Sequence, residues 1–120
     1  MNKVLLVEDS DTLAFLTREL LTEAGFEVGN AYTGQQAVDM HQDYNIILMD
    51  IGLPDFNGME ATKQIRAAGY KGPIIALSGR ESNADQQAAL DCGMNEFLTK
   101  GIVTANIVAV LASYLDRVAA

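Results

Sequence analysis

Residues 46–58 read IILMDIGLPDFNG, and this stretch decides the fold. Ile46, Ile47, Leu48 and Met49 form an unbroken apolar run, too short for a buried helix and followed by turn formers, so it suits a strand covered on both faces. The strand ends on a carboxylate, Asp50. Gly52, Pro54, Asp55, Asn57 and Gly58 then make a loop ahead of an amphipathic run from Met59 to Ala68. An acid where a buried parallel strand meets its loop stands at the carboxyl edge of the sheet, where open α/β folds place their chemistry. Asp50 is therefore the expected functional centre.

The same grammar repeats on both sides. Before the central strand, Val4 to Val7 is an apolar run of strand length that ends at Glu8, Asp9, Ser10 and Asp11. Leu13, Leu16, Leu20, Leu21 and Ala24 follow at spacings that predict one face of a helix closed by Gly25. Phe26 to Asn30 alternates apolar and polar, which suits a strand nearer an edge, and Thr33 can cap a short helix through Ala37, Val38 and His41. Beyond the central strand, Met59 to Ala68 is a helix closed by Gly69, and Pro73 opens a strand from Ile74 to Leu77 that hands over to Ser78 and Gly79. Ser82 or Asn83 can cap a helix carrying Ala88, Ala89 and Cys92 and stopping at Gly93. Glu96 to Thr99 is a short last strand next to Lys100, and Thr104 caps a final helix built on Ile107, Leu111, Leu115 and Val118. Five strands alternating with five helices predict an α/β fold: a parallel sheet with right-handed crossovers and helices on both faces.

A chain of 120 residues fits one domain, and with 49% hydrophobic residues it can fill one core. Residues 1–120 are accordingly expected to form a single domain with no effector domain attached, unless the chain is a piece of something longer. Sixteen acidic against eight basic side chains give a formal charge of −8, which argues against a nucleic-acid surface or an anionic-membrane surface of its own. The lone cysteine, Cys92, has no internal disulfide partner and reads as a small buried hydrophobe. No signal peptide or membrane span is evident, so the cytoplasm is the expected location. The final helix has enough apolar surface to support a dimer, although the core could consume all of it.

In a parallel sheet all strand ends share one edge. Glu8 and Asp9, Asp50, Ser78 and Lys100 therefore converge there, as three carboxylates, one hydroxyl and one ammonium. Two carboxylates about 4 Å apart repel by roughly 4 kcal/mol at an effective dielectric near 20, so the cluster invites a cation. Hard oxygen ligands suit Mg²⁺ or Mn²⁺, whereas zinc would want His or Cys, and the only histidine, His41, sits on a helix away from this edge. A divalent ion beside a carboxylate, a lysine and a hydroxyl is equipment for phosphoryl transfer, with Asp50 as in-line nucleophile and an aspartyl phosphate as product.

On these residues the chain resembles the receiver domain of two-component response regulators and hybrid sensor kinases. The resemblance runs through VLLVEDSDT (4–12), IILMDIGLPDFNGMEATKQIR (46–66), PIIALSG (73–79) and DCGMNEFLTK (91–100), and so covers nearly the whole chain. It implies a flavodoxin-like (βα)5 three-layer sandwich with strand order 2-1-3-4-5. It makes Asp50 the phosphoacceptor. Glu8, Asp9 and Asp50 become the metal-binding acids, with the Gly52 backbone carbonyl as a further ligand. Ser78 matches the switch hydroxyl, Phe97 the switch aromatic and Lys100 the phosphate-binding lysine. Phosphate would arrive from a phosphohistidine on a sensor histidine kinase or a histidine phosphotransfer protein, and the output would pass to the face of the fourth helix, last strand and fifth helix. The GMEATKQIR and DCGMNEFLTK stretches look more like receivers of hybrid kinases than stand-alone regulators.

Gly101 departs from the family, which usually follows the lysine with a proline in a cis peptide. A non-proline cis bond costs about 3 kcal/mol, so a trans Lys100–Gly101 bond and a reshaped loop are expected. Gly52 and Gly79 leave the site open to water, which predicts a short-lived phosphoryl group.

Plainer readings exist for each residue alone. Asp9 could cap a helix, Asp50 could begin a turn, Ser78 could cap and Lys100 could be solvated. Phe97 without the resemblance reads as core, His41 as a helix-end surface residue, and Asp39, Asp43 and Arg80 as solvated charge. Other functions compete as well. Asp9, Ser10, Asp11 spell the Asp-x-Asp of haloacid dehalogenase-type phosphatases, but Leu13 stands where that family wants Thr or Val, and Asp116 is the only acid beyond Lys100. A flavodoxin-like cofactor site would need a phosphate loop after the first strand, where Glu8, Asp9 and Asp11 would repel the anion. A receiver kept only as an unphosphorylated binding module is the remaining alternative, with Gly101 in its favour.

Overall fold

Strands with no polar residue in their middle can exist only where both sheet faces are covered, and three of the five strands here are of that kind. In the computed structural model, which describes residues 2–51, 58–79, 83–99 and 107–114, β1 (Lys3–Val7), β3 (Ile46–Asp50) and β4 (Ile74–Ser78) lie inside a parallel sheet. β2 (Glu27–Ala31) and β5 (Glu96–Thr99), the two strands of mixed polarity, form its edges in the order β2-β1-β3-β4-β5. Every position of β3 and β4 is buried.

Successive side chains on a strand face opposite sides, so each apolar strand feeds two cores. Val4, Leu6, Ile46, Leu48, Ile75, Leu77 and Leu98 meet Ala14 and Leu21 of α1 (Asp11–Glu23) and Ile107 and Leu111 of α5, the helix of residues 107–114. Leu5, Val7, Ala31, Ile47, Met49, Ile74 and Ala76 meet α2 (Gly34–Met40), α3 (Gly58–Ala67) and α4 (Asn83–Asp91) through Ala37, Ala61, Ile65 and Ala89. The helices thus cover both faces, as strict alternation requires.

Local signals set the helix limits. Ser10 and Thr33 accept from the amides of Leu13 and Gln36 at 3.4 and 3.1 Å and cap α1 and α2. Gly25, Gly69 and Gly93, with φ of 98°, 99° and 115°, each end a helix in the left-handed conformation. The next residue then donates five positions back: Phe26 to Leu21, Tyr70 to Ile65 and Met94 to Ala89, at 3.1, 3.3 and 3.1 Å. The side chain after each glycine joins the same apolar cluster as the residue whose carbonyl its amide reaches.

Four expectations need correction. The buried face of α1 is Ala14, Thr17 and Leu21, whereas Leu16 is 50% exposed, because the Ser10 cap fixes the helix rotation and small residues let α1 lie close on the sheet. β2 begins at Glu27, since Phe26 is used in closing α1. Asn83 is the first residue of α4 itself, and Ser82 lies outside the described residues. His41 is buried, at 3% exposure: α2 passes into a 3-10 turn (His41–Asp43) that lays the ring edge-on against Tyr70 at 5.5 Å. Its Nδ1 lies 2.6 Å from the Val38 carbonyl, which can only accept, so that nitrogen carries the proton. The Lys100–Gly101 bond, Thr104, Leu115 and Val118 are outside the described residues.

Candidate functional site

The carboxyl edge of β1, β3 and β4 collects the chemistry-bearing residues. β1 ends at Val7, and Glu8 continues its ladder for one more bond, donating its amide to the Ala31 carbonyl at 3.0 Å. This turns the Glu8 side chain inward, where it is 2% exposed and Oε2 accepts from the Ser10 amide at 3.1 Å. Asp9, between them, is exposed. Asp50 is the last residue of β3, pairs in register with Leu77 and is 4% exposed. One oxygen from each of Glu8, Asp9 and Asp50 lies within 4.8 Å of the others.

Behind Asp50, α3 closes tightly. The Gly58 amide donates to the Ile51 carbonyl at 3.2 Å, and a methyl group at Gly58 would overlap the Asp50 carbonyl oxygen. Only glycine allows this approach. Thr62 fastens the start of the helix by donating its hydroxyl to the Gly58 carbonyl at 2.8 Å. These contacts fix the main chain from which Asp50 projects.

Ser78 ends β4, is 3% exposed, and stands opposite Thr99 in the register with β5. Phe97 is half-buried on β5 and packs against the cluster formed by α2, α3 and α4. Thus Glu8, Asp9 and Asp50 meet, Ser78 lies one strand farther along the same edge, and Phe97 lies on the far edge strand. Gly52 and Lys100 fall outside the described residues.

With oxygens no more than 4.8 Å apart, the buried pair Glu8 and Asp50 repel by at least roughly 3 kcal/mol at an effective dielectric of 20 when both are ionised. A divalent cation between them reverses the sign. Three oxygen donors with no nitrogen or sulfur fit Mg²⁺ or Mn²⁺. His41 and Tyr70 belong to the opposite edge, where strands begin, and Cys92 sits at the end of α4, so none of these competes as a ligand.

Two contributors escape a reading of the sequence by strand ends. Gly58 looks like one more loop residue until its contact with Asp50 is seen. Asn30, on edge strand β2, sends its side-chain amide to the main chain of β1 beside Glu8. Its one sequence signal is an asparagine inside a strand, where that residue type is depleted.

Comparison with known proteins agrees with this geometry. Residues 4–112 match the family model of the response regulator receiver domain. The chain is 36% identical over 118 residues to the transcriptional regulatory protein CpxR of Escherichia coli K12 and 35% identical to that of Klebsiella pneumoniae. In both cases 98% of this chain is matched against 50% of the relative, so the chain spans about half the length of the curated relatives it matches. Among solved structures, Vibrio cholerae chemotaxis protein CheY4 superposes with a TM-score of 0.88 at 27% identity, covering 95% of this chain and 98% of that one. The BeF3-activated N-terminal receiver domain of Klebsiella pneumoniae RstA gives 0.88 at 26%, with coverage of 95% and 98%. A two-component response regulator from Clostridium difficile reaches 0.94 over the full length of both chains, at 22% identity that speaks for the fold alone. These relatives are regulators, and they do not carry the finer likeness to receivers of hybrid kinases.

Proposed function

Because the chain belongs to the family of response regulator receiver domains, we propose that Asp50 accepts a phosphoryl group from a phosphohistidine on a sensor histidine kinase or a histidine phosphotransfer protein. The observation that carries this reading is the meeting of Glu8, Asp9 and Asp50 within 4.8 Å at the strand ends, with buried Ser78 on the next strand. An Asp50 carboxylate oxygen attacks phosphorus in line as the P–N bond to the donor imidazole breaks. The leaving nitrogen keeps the bonding pair and takes up a proton. Glu8, Asp9 and Asp50, with the Gly52 carbonyl, would hold Mg²⁺ or Mn²⁺, which when bound would neutralise charge on the phosphoryl oxygens. Lys100 pairs with one of those oxygens and Ser78 donates a hydrogen bond to another.

Closing of Ser78 onto the new phosphoryl group makes room that Phe97 fills, and this changes the surface of α4, β5 and α5. Local charge thereby biases a two-state element. The 120 residues work as one receiver unit that takes part in no group transfer other than its own phosphorylation and dephosphorylation. Transcriptional regulation is named for the whole CpxR relatives, of which this chain matches half. No helix among the described residues is long and apolar enough to cross a membrane; the cytoplasm is proposed as the site of action from the family alone.

The deciding experiment is intact mass after incubation with acetyl phosphate, with and without Mg²⁺, for the wild type and Asp50→Asn. A Mg²⁺-dependent phosphoryl adduct absent from the variant is the expected result. Mg²⁺ binding without any adduct would favour the unphosphorylated binding module, which Gly101 after Lys100 suggests.

A further inference from the structure

Asn30 stands opposite Leu6 in the register between β2 and β1. Its Nδ2 donates to the carbonyls of Leu6 at 3.1 Å and Ala31 at 3.0 Å, with the Glu8 carbonyl at 3.5 Å as a third acceptor. Three converging carbonyls determine which end of the amide is nitrogen, since the reversed amide would face oxygen with oxygen. That orientation leaves Oδ1 buried with no donor among the described residues. A buried acceptor without a donor is unfavourable, and asparagine is a poor strand former, so strand stability does not account for the residue. Breaches of local rules of this kind concentrate where a protein does its chemistry.

The Ala31 carbonyl that receives Asn30 also receives the amide of Glu8. Glu8 is therefore approached by β2 on both sides: its N–H is held by the Ala31 carbonyl at 3.0 Å, and its C=O takes a longer, shared contact at 3.5 Å from the Asn30 amide, whose two hydrogens go chiefly to the Leu6 and Ala31 carbonyls. The Ser10 amide holds its carboxylate in turn. Asp9 follows directly on the Glu8 carbonyl, so the same clamp sets the direction of the second acid.

We propose that Asn30 is a positioning residue for the acidic cluster, its side-chain amide clamping the Glu8 main chain so that Glu8 and Asp9 meet Asp50 at the spacing a divalent cation needs. The inference rests on the metal-binding reading above. Asn30 touches neither a carboxylate of the cluster nor a reacting atom in the hydrogen bonds described, so its effect belongs to metal affinity.

The test is calorimetric titration of the unphosphorylated 120-residue chain with MgCl2, comparing wild type, Asn30→Asp, Asn30→Ala and Asn45→Ala. Asn45 accepts from the Lys3 amide at 2.8 Å at the far end of β1, so its variant reports the loss of a comparable tie away from the acids. Asn30→Asp keeps the shape, removes the donors and adds a negative charge that alone would tighten cation binding. Both Asn30 variants should weaken Mg²⁺ about tenfold, as loss of outer-shell support does elsewhere, while Asn45→Ala lowers only the melting temperature. In the wild type, the Asn30 side-chain amide resonances should shift as Mg²⁺ is added, a reading that needs no variant to fold. Unaltered Mg²⁺ affinity in Asn30→Asp and Asn30→Ala, equal weakening in Asn45→Ala, or an unmoved Asn30 resonance in the Mg²⁺ complex would overturn the inference and leave the metal site standing. Failure of the wild type to bind Mg²⁺ would overturn both.

Discussion

Tyr70 shows how one side chain couples burial to pH. Its hydroxyl donates to the Tyr44 carbonyl at 3.1 Å, and burial pushes its pKa up to about 12, against a smaller pull downward from Arg66. An unfolded tyrosine titrates near pH 10. Between about pH 10 and pH 12 the unfolded chain has lost a proton that the folded chain retains, so this group's contribution to stability declines as pH rises through that window. Tyr70→Phe should flatten the decline and cost about 1 kcal/mol at neutral pH for the missing hydrogen bond. Urea unfolding at neutral pH and near pH 11 measures both effects; an unchanged alkaline slope would place the titration elsewhere. Burial also pulls the neighbouring Arg66 guanidinium below its ordinary value, and carbonyls of Tyr70, Gly72 and Gly93 with the Asn95 side chain take its hydrogens at 2.8 to 3.0 Å. It ties the loop entering β4 to the loop entering β5, and nothing in the spacing of the sequence announces that arrangement.

At the level of elements, α1 separates pattern from packing. Its apolar residues allow two faces one residue apart, and the chain uses the face of Ala14, Thr17 and Leu21. Leu21 is fully buried, whereas Leu16 is 50% exposed and Phe15 54% exposed. Leu21→Ala should therefore destabilise by about 2–5 kcal/mol, and Leu16→Ala should stay within about 0.5 kcal/mol of wild type. Chemical unfolding of the two variants distinguishes this face from the one that leucine spacing alone suggests, on which Leu16 and Leu21 would be similarly costly losses. The opposite case is β3. Four consecutive apolar residues fit only a strand covered twice, and all five positions from Ile46 to Asp50 are buried.

For the whole molecule, the fold concentrates like charge at one edge and is held together elsewhere. Glu8 and Asp50 are almost fully buried, 2% and 4% exposed, within a cluster spanning 4.8 Å. In EDTA, Asp50→Asn should be more stable than wild type by ~1–3 kcal/mol, the order of the repulsion it relieves. Mg²⁺ at about 100 times its dissociation constant should raise the wild type by about 2.7 kcal/mol and close the gap. Thermal melts with and without Mg²⁺ test this directly. A less stable Asp50→Asn in EDTA would mean that the other contacts of the carboxylate outweigh the repulsion.

The amino-acid sequence alone determined the alternation of strands and helices, the three glycine-closed helix ends, and the acids at the ends of β1 and β3. These follow from local physics: apolar run length, left-handed backbone at glycine, and the rule that parallel strands share one carboxyl edge. Tertiary structure alone decided which face of α1 is buried, that His41 lies under Tyr70, that Gly58 must lack a side chain beside Asp50, and that Asn30 reaches Glu8 from the edge strand. Each of these joins residues distant in the chain through a spacing of a few ångströms. Such spacings are set by how elements pack, and no periodicity within one element records them.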